Sequence, residues 1–229
     1  MKLFLALLLF PVCVLAGVTH FHQMVIAKKN ASGPAPTYIV DEDCDGVTTP
    51  AGFADVGMPE WGDTDAPAPI VSGGSLRNSS GNYSYTTFAD NSTLYVFGSY
   101  HVASSLSANP YIVEFRKSGT VLSRLRVLSS GALRLYNDTG TSTDSSAGEI
   151  TADNTYYYWI KYVKGTGSDS ETVLHHAATQ TKPGSPLLTI TTGAATLDCN
   201  QLSYNPSAAV TTYHDKLRVD DVDIGSSPP

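Results

Sequence analysis

The sequence predicts an all-β protein, an antiparallel two-sheet jelly-roll sandwich, and three observations carry that prediction. Beyond the N-terminus, apolar residues come in short alternating runs, they are mostly β-branched or aromatic, and Gly, Asn, Asp and Ser punctuate them at short intervals. No sustained 3.6-residue period follows residue 16. Composition agrees with this class. Of 229 residues, 41% are hydrophobic, including 13 Tyr and 7 Phe, which is enough to bury a core and excludes disorder. Only 15% are charged, against about 25% in an average domain, so 25 Ser and 24 Thr must supply much of the surface polarity. Scarce Glu and Lys exclude a coiled coil. A net charge of −7 argues against a nucleic-acid partner, which calls for a basic patch or stripe.

In chain order, residues 1–16 read as a secretory signal peptide. Lys2 precedes an apolar run from Leu3 to Leu15, and Val14 and Ala16 sit at −3 and −1 before Gly17. The run is short for a membrane span, and no later stretch is long enough for one. The expected location is secreted or exported to the cell surface or periplasm. Residues 17–37, ending in Gly33-Pro34-Ala35-Pro36, read as an N-terminal leader or tether, and the domain is expected over residues 38–227. Export leaves two cysteines in an oxidising compartment, so a Cys44–Cys199 disulfide is expected. Five Asn-X-Ser/Thr sequons begin at Asn30, Asn78, Asn82, Asn91 and Asn137.

The most informative stretch is 111–136. Two three-residue turns, Lys117-Ser118-Gly119 and Ser129-Ser130-Gly131, each put Gly where a left-handed residue is needed. The first sets Arg116 opposite Thr120 and the second sets Val127 opposite Leu133. Side chains alternate faces along a strand, so Val113, Phe115, Val121, Leu125, Val127, Leu133 and Leu135 gather on one face. Glu114, Arg116, Arg124, Arg126, Arg134 and Tyr136 gather on the other. A one-residue slip would mix the sets, so their separation predicts a three-stranded meander with one core face. Further strands are expected at 93–102, 156–164, 172–177, 187–191 and 216–224.

The order of these pieces resembles the concanavalin A-like lectin/glucanase superfamily, especially its laminin-G-like domains. The features are Ile70-Val71-Ser72-Gly73-Gly74-Ser75-Leu76, the strand near Tyr95, the two Ser-Gly hairpins, Asn154-Thr155-Tyr156-Tyr157-Tyr158-Trp159, and Tyr213-His214-Asp215-Lys216-Leu217-Arg218-Val219. The resemblance implies a jelly-roll sandwich over about residues 40–227. It also implies a structural calcium ion, with Asp215 best placed as a ligand and Asp43 or Asp45 as partner.

Chemistry is harder to find. The glucanases of the superfamily use Glu-x-Asp-x-Glu, but the five glutamates here, Glu42, Glu60, Glu114, Glu149 and Glu171, complete no such motif. Related jelly-roll polysaccharide lyases use Arg, Gln-x-His and Tyr, and no Gln here is followed two places on by His. Adjacent His175 and His176 should point to opposite faces, one solvated and one packed. His101 reads as a packed or hydrogen-bonded core residue. The expected function is therefore a non-catalytic carbohydrate-binding or adhesion module, recognising a glycan or cell-surface ligand. Arg124, Arg126, Arg134 and Tyr136 would supply planar hydrogen bonding and an aromatic platform. Two alternatives stand beside it. One is a self-associating structural subunit of an extracellular or phage particle or fibre; the other is a polysaccharide hydrolase or lyase with an unrecognised site.

Overall fold

A computed structural model describes residues 38–42, 62–63, 70–72, 75–78, 84–137, 140–193, 195–204, 210–226 and 228. They belong to one compact unit, Tyr38–Pro229. The expected signal peptide, the leader, Cys44, Asp43 and Asp45 lie outside the described residues.

The strands are β1 (Val40–Glu42), β2 (Gly62–Asp63), β3 (Ile70–Ser72), β4 (Ser75–Asn78), β5 (Ser84–Asn91), β6 (Thr93–Val102), β7 (Tyr111–Lys117), β8 (Thr120–Val127), β9 (Leu133–Asn137), β10 (Thr141–Asp144), β11 (Thr155–Val163), β12 (Glu171–Ala177), β13 (Leu188–Ile190), β14 (Cys199–Tyr204) and β15 (Thr212–Asp220). They form two antiparallel sheets, which is the predicted all-β sandwich. One is eight-stranded in the order β13-β12-β11-β6-β15-β4-β3, with β1 also on β15; the other is seven-stranded in the order β10-β9-β8-β7-β14-β5-β2.

The core lies between the sheets. Leu94, Val96, Ile160 and Leu174 face it from the larger sheet, and Phe115, Leu125, Leu135 and Leu202 from the smaller. Phe115 of β7 stacks on Tyr162 of β11 across the gap, with ring centroids 5.8 Å apart. A second, more polar layer continues this core. Tyr158 and Tyr204 join hydroxyls at 3.4 Å, His214 packs on Tyr204, and the Tyr100 hydroxyl meets His176 Nε2 at 2.9 Å.

The meander forms with one correction. The second turn is as predicted: Leu128 N–H donates to Ala132 O, Val127 faces Leu133, and Gly131 has φ +78°. The first turn is tighter by one residue. Lys117 pairs with Thr120, and both Ser118 (φ +46°) and Gly119 (φ +91°) are left-handed, as a two-residue hairpin of the I′ kind demands. An irregularity between Phe115 and Arg116 then shifts the register by one, so Phe115 faces Ser123 and Glu114 faces Arg124. The bulge restores the parity that the shorter turn removed. From Ser123 onward the division of faces is the predicted one, while Val121 pairs with Arg116 instead of Phe115.

The strand expected at 216–224 starts earlier and stops earlier, at Thr212–Asp220. The expected disulfide is not formed at its described end: Cys199 is a buried free thiol whose Sγ donates to Gln201 O. Burial pushes that thiol up to about 12, so it is unreactive. The sequon at Asn137 is closed in the folded chain, because its buried amide donates to Thr192 O and Ser170 Oγ.

Candidate active site on the seven-stranded sheet

The register of β9, β8, β7, β14 and β5 fixes which side chains leave the core. Arg124 lies between Tyr136 and Glu114, Glu114 is opposite Ser203, and Ser203 is opposite Tyr85. Arg126 pairs with Arg134 on one side and with Tyr111 on the other, and Arg116 pairs with Gln201. One sheet face thus collects four arginines, three tyrosines, a glutamate, a glutamine and a serine. Arg124, Arg126, Arg134 and Tyr136, the residues picked out from sequence, share this face.

Glu114 forms its floor. The side chain is 3% exposed; Arg116 Nε donates to Oε2 at 3.1 Å, Ser203 Oγ donates to the same oxygen at 3.3 Å, and Arg124 Nη1 stands 3.9 Å from Oε1. A buried carboxylate needs such partners. Above it, Arg124 lies 4.6 Å from the Tyr111 ring centroid and 4.4 Å from that of Tyr136, and Arg126 lies 4.9 Å from Tyr111. Cation–π contact holds these planar groups in fixed orientation.

The four arginines differ in how their charge is used. Arg116 and Arg124 face Glu114, and Arg134 makes a bidentate pair with Asp144, both bonds 2.6 Å. Arg126 faces no carboxylate among the described residues; its Nε donates to Asn109 O at 2.8 Å. Tyr136 responds to this setting. Burial raises its phenol, but hydrogen bonds and positive charge from Arg134 and Arg126 outweigh burial, so its pKa lies below the ordinary tyrosine value. A phenol whose pKa is lowered, beside a guanidinium that faces no carboxylate among the described residues, can serve as a base toward a proton next to a carboxylate.

Sequence reasoning placed Glu114 and Arg116 on this face without a role, and missed Tyr111, Tyr85, Gln201 and Ser203. Gln201-Leu202-Ser203 is a Gln-x-Ser in β14, so the Gln-x-His search passed over it.

Of the expected calcium ligands, only Asp215 is among the described residues. Asp215 is on β15, in the irregular stretch between His214 and Leu217. No group of three or more His, Cys, Asp or Glu among the described residues could hold a metal ion. His176 is buried between Tyr100 and Glu149, whereas His175 points the other way and meets Pro183 O through Nδ1. The two rings point to opposite faces as expected, but His175 is half-buried and hydrogen-bonded, not solvated. His101 departs from the expected core position, being 30% exposed and 3.8 Å from Asp153.

No protein-family model matches the sequence, and no curated protein matches it. Solved structures do. The alginate lyase Aly36B superposes with a TM-score of 0.57 at 17% identity, covering 82% of this chain and 98% of that one, and a lysine/tyrosine double-alanine variant of it is known in complex with alginate tetrasaccharide. The alginate lyase vAL-1 from Chlorella virus gives 0.55 at 7% identity, covering 81% and 100%. The endo-β-1,4-glucuronan lyase from the fungus Trichoderma reesei gives 0.50 at 8% identity, covering 84% and 99%. At these identities the likeness is one of fold, and it agrees with a concanavalin A-like sandwich. It corrects the expectation of a non-catalytic binding module, since these solved structures of the same fold are polysaccharide lyases, and it moves the weight to the lyase alternative. No helix among the described residues is long and apolar enough to cross a membrane.

Proposed function

We propose that the protein is an exported polysaccharide lyase that cleaves an acidic, uronate-containing polysaccharide on the outer face of the seven-stranded sheet. The observation that carries the reading is the outer face itself, where Tyr136, 9% exposed, lies under the guanidinium groups of Arg124 and Arg134 and one register row from Arg126. Solved alginate and glucuronan lyases of the same fold support it.

The chemistry follows from the charges. A uronate carries its carboxylate on C5, and the C5 proton becomes removable when that carboxylate is neutralised. Arg126, the guanidinium without a carboxylate partner, pairs with it in a charge-assisted, bidentate hydrogen bond. Tyr136, as phenolate, takes the C5 proton. The electron pair of the C5–H bond forms the C4=C5 double bond, the C4–O bond breaks, the departing oxygen takes up a proton from water, and Tyr136 releases the abstracted proton to solvent. Arg124, fixed between Tyr111, Tyr136 and Glu114, positions the phenol.

The test is direct. Purified protein is incubated with alginate, glucuronan and a neutral glucan, and the ultraviolet absorbance of the unsaturated product is followed. Absorbance rising with a polyuronate and not with the glucan is the expected result. No unsaturated product from any polyuronate overturns the proposal.

A further inference from the structure

The opposite side of the sandwich carries a second recess, unrelated to the basic face. On the outer face of the eight-stranded sheet, Tyr95, Lys161 and Val173 form one cross-strand row and Phe97, Trp159 and His175 the next. Over these rows lies a cleft of about 290 Å³, near the lower end of small-ligand sites. Its far wall is built by two segments tied together. Lys182 N–H donates to Ser226 O at 2.8 Å, Lys182 Nζ pairs with Asp223 at 3.2 Å, and Gln180 Nε2 donates to Pro228 O. His175 braces the same wall through Nδ1–H to Pro183 O at 2.9 Å.

Two features point to a ligand. Trp159, packed against Phe97 with centroids 5.1 Å apart, is 4% exposed, and its indole Nε1–H has no hydrogen-bond partner among the described residues. A buried donor is normally paired, so the residue that forms the cleft floor keeps one unsatisfied donor. The charges, by contrast, are already matched: Lys161 pairs with Glu171 and Lys182 with Asp223. An added carboxylate gains little from two ammoniums each held by its own carboxylate. A hydroxylated neutral molecule gains from Lys161, Lys182 and Asp223, the three that line the cleft, because each hydroxyl both donates and accepts. The apolar lining from Tyr95, Trp159, Val173 and Ile224 suits the flat face of a sugar ring.

We propose that this cleft is a second carbohydrate site, on the sheet opposite the basic face, and that it takes a neutral sugar unit, not a uronate. It stands whether or not the basic face is catalytic.

The experiment follows the indole N–H signals of the full chain by nitrogen-15 correlation NMR, with Trp159→Phe assigning one of the two tryptophans. The probes are neutral gluco-, manno- and galacto-oligosaccharides and an oligoalginate of equal length, each titrated to about 10 mM. A saturable shift of the Trp159 signal with a neutral oligosaccharide and none with oligoalginate is expected. Lys182→Ala is expected to weaken that binding about tenfold, and Val173→Tyr, which fills the cleft, to abolish it. Absence of a shift with all three neutral probes overturns the proposal. So does a shift that survives Val173→Tyr in a protein whose other signals are unchanged, or an equal response to oligoalginate.

Discussion

Two sets of tyrosines in this molecule have opposite fates. On the outer face of the seven-stranded sheet, Tyr136 sits among arginines and its pKa falls. Between the sheets, Tyr100 and Tyr158 are fully buried; burial dominates, and both are raised, Tyr100 far above the ordinary value. The side chain is the same and the surroundings reverse its behaviour. Removing solvent penalises a phenolate, while nearby guanidinium groups stabilise it. A reactive tyrosine is therefore identified by its neighbours, and the inner tyrosines act as core side chains that happen to hold hydrogen bonds.

The largest test of this contrast is Tyr136→Phe. Loss of the general base is expected to lower kcat on a polyuronate about 10²–10⁴-fold with little change in stability. Tyr158→Phe, which removes a hydroxyl bonded to Tyr204, is expected to leave kcat near wild type and to lower stability by about 1 kcal/mol. Chemical denaturation and initial rates measured on both variants decide the matter, and equal kinetic losses would break the distinction. Replacing Arg134 by Gln sharpens it further. Tyr136 then loses a stabilising charge, so the alkaline-going rise in rate is expected to move to higher pH, which a pH–rate profile reads.

Next in size is Arg126→Ala. Losing a hydrogen bond to a charged group costs about 1.5–3 kcal/mol, so kcat/KM is expected to fall about 10–100-fold. Methyl-esterified polyuronate separates this role from a structural one. Esterification removes the carboxylate, so it is expected to slow the wild type much more than the variant. A penalty of equal size in both proteins would remove Arg126 from the carboxylate.

Much of this site was legible in the sequence because of parity. In 111–136 the four arginines fall on even positions, while Val113, Phe115, Val121, Leu125, Val127, Leu133 and Leu135 fall on odd ones, and two glycine turns agree on the division. The structure keeps that division although the first turn is one residue shorter, since the bulge beside Phe115 compensates. β14 was not legible. Cys199-Asn200-Gln201-Leu202-Ser203-Tyr204 is buried at five of six positions, but its outward residues Gln201 and Ser203 are covered by the polar site and not by an apolar core. A strand that buries polar groups on one face lacks the alternation by which strands are found. β5 hides for the same reason, with Ser84 and Thr86 in its buried positions. The proposed lyase site was legible only in part, because Glu114, Ser203 and Tyr136 come from three strands and converge only through pairing.

The interior layer has its own test in Gly98. A Cβ there would sit 2.3 Å from the Tyr158 hydroxyl, and that ring cannot swing away because it is fully buried and bonded to Tyr204. Gly98→Ala is expected to destabilise by about 1–3 kcal/mol through overpacking, seen as a lower denaturation midpoint. The paired variant with Tyr158→Leu is expected to lose less than the sum of the two single losses, because the hydroxyl and the ring carbons that crowd Gly98 are both gone; strictly additive losses would place the strain elsewhere.

The smallest effect per unit of perturbation is also the most diagnostic of the interior. Burial lowers His214 from 6.5 to about 3, and burial likewise lowers His176 against the opposing pull of Glu149. Both rings thus stay neutral in the fold over a range where the unfolded chain protonates them. The unfolded state then binds more protons, so stability is full above about 6.5 and falls as pH drops toward 3, by about 1.4 kcal/mol per pH unit for His214 alone. His214→Phe keeps a flat ring against Tyr204 and removes the titration, so denaturation midpoints measured from pH 7 to pH 5 should decline less steeply than in the wild type. An unchanged slope would mean that His214 takes a proton inside the fold. The layer between the sheets would then be wetter than its packing implies, and the contrast with the basic face would shrink to a difference of degree.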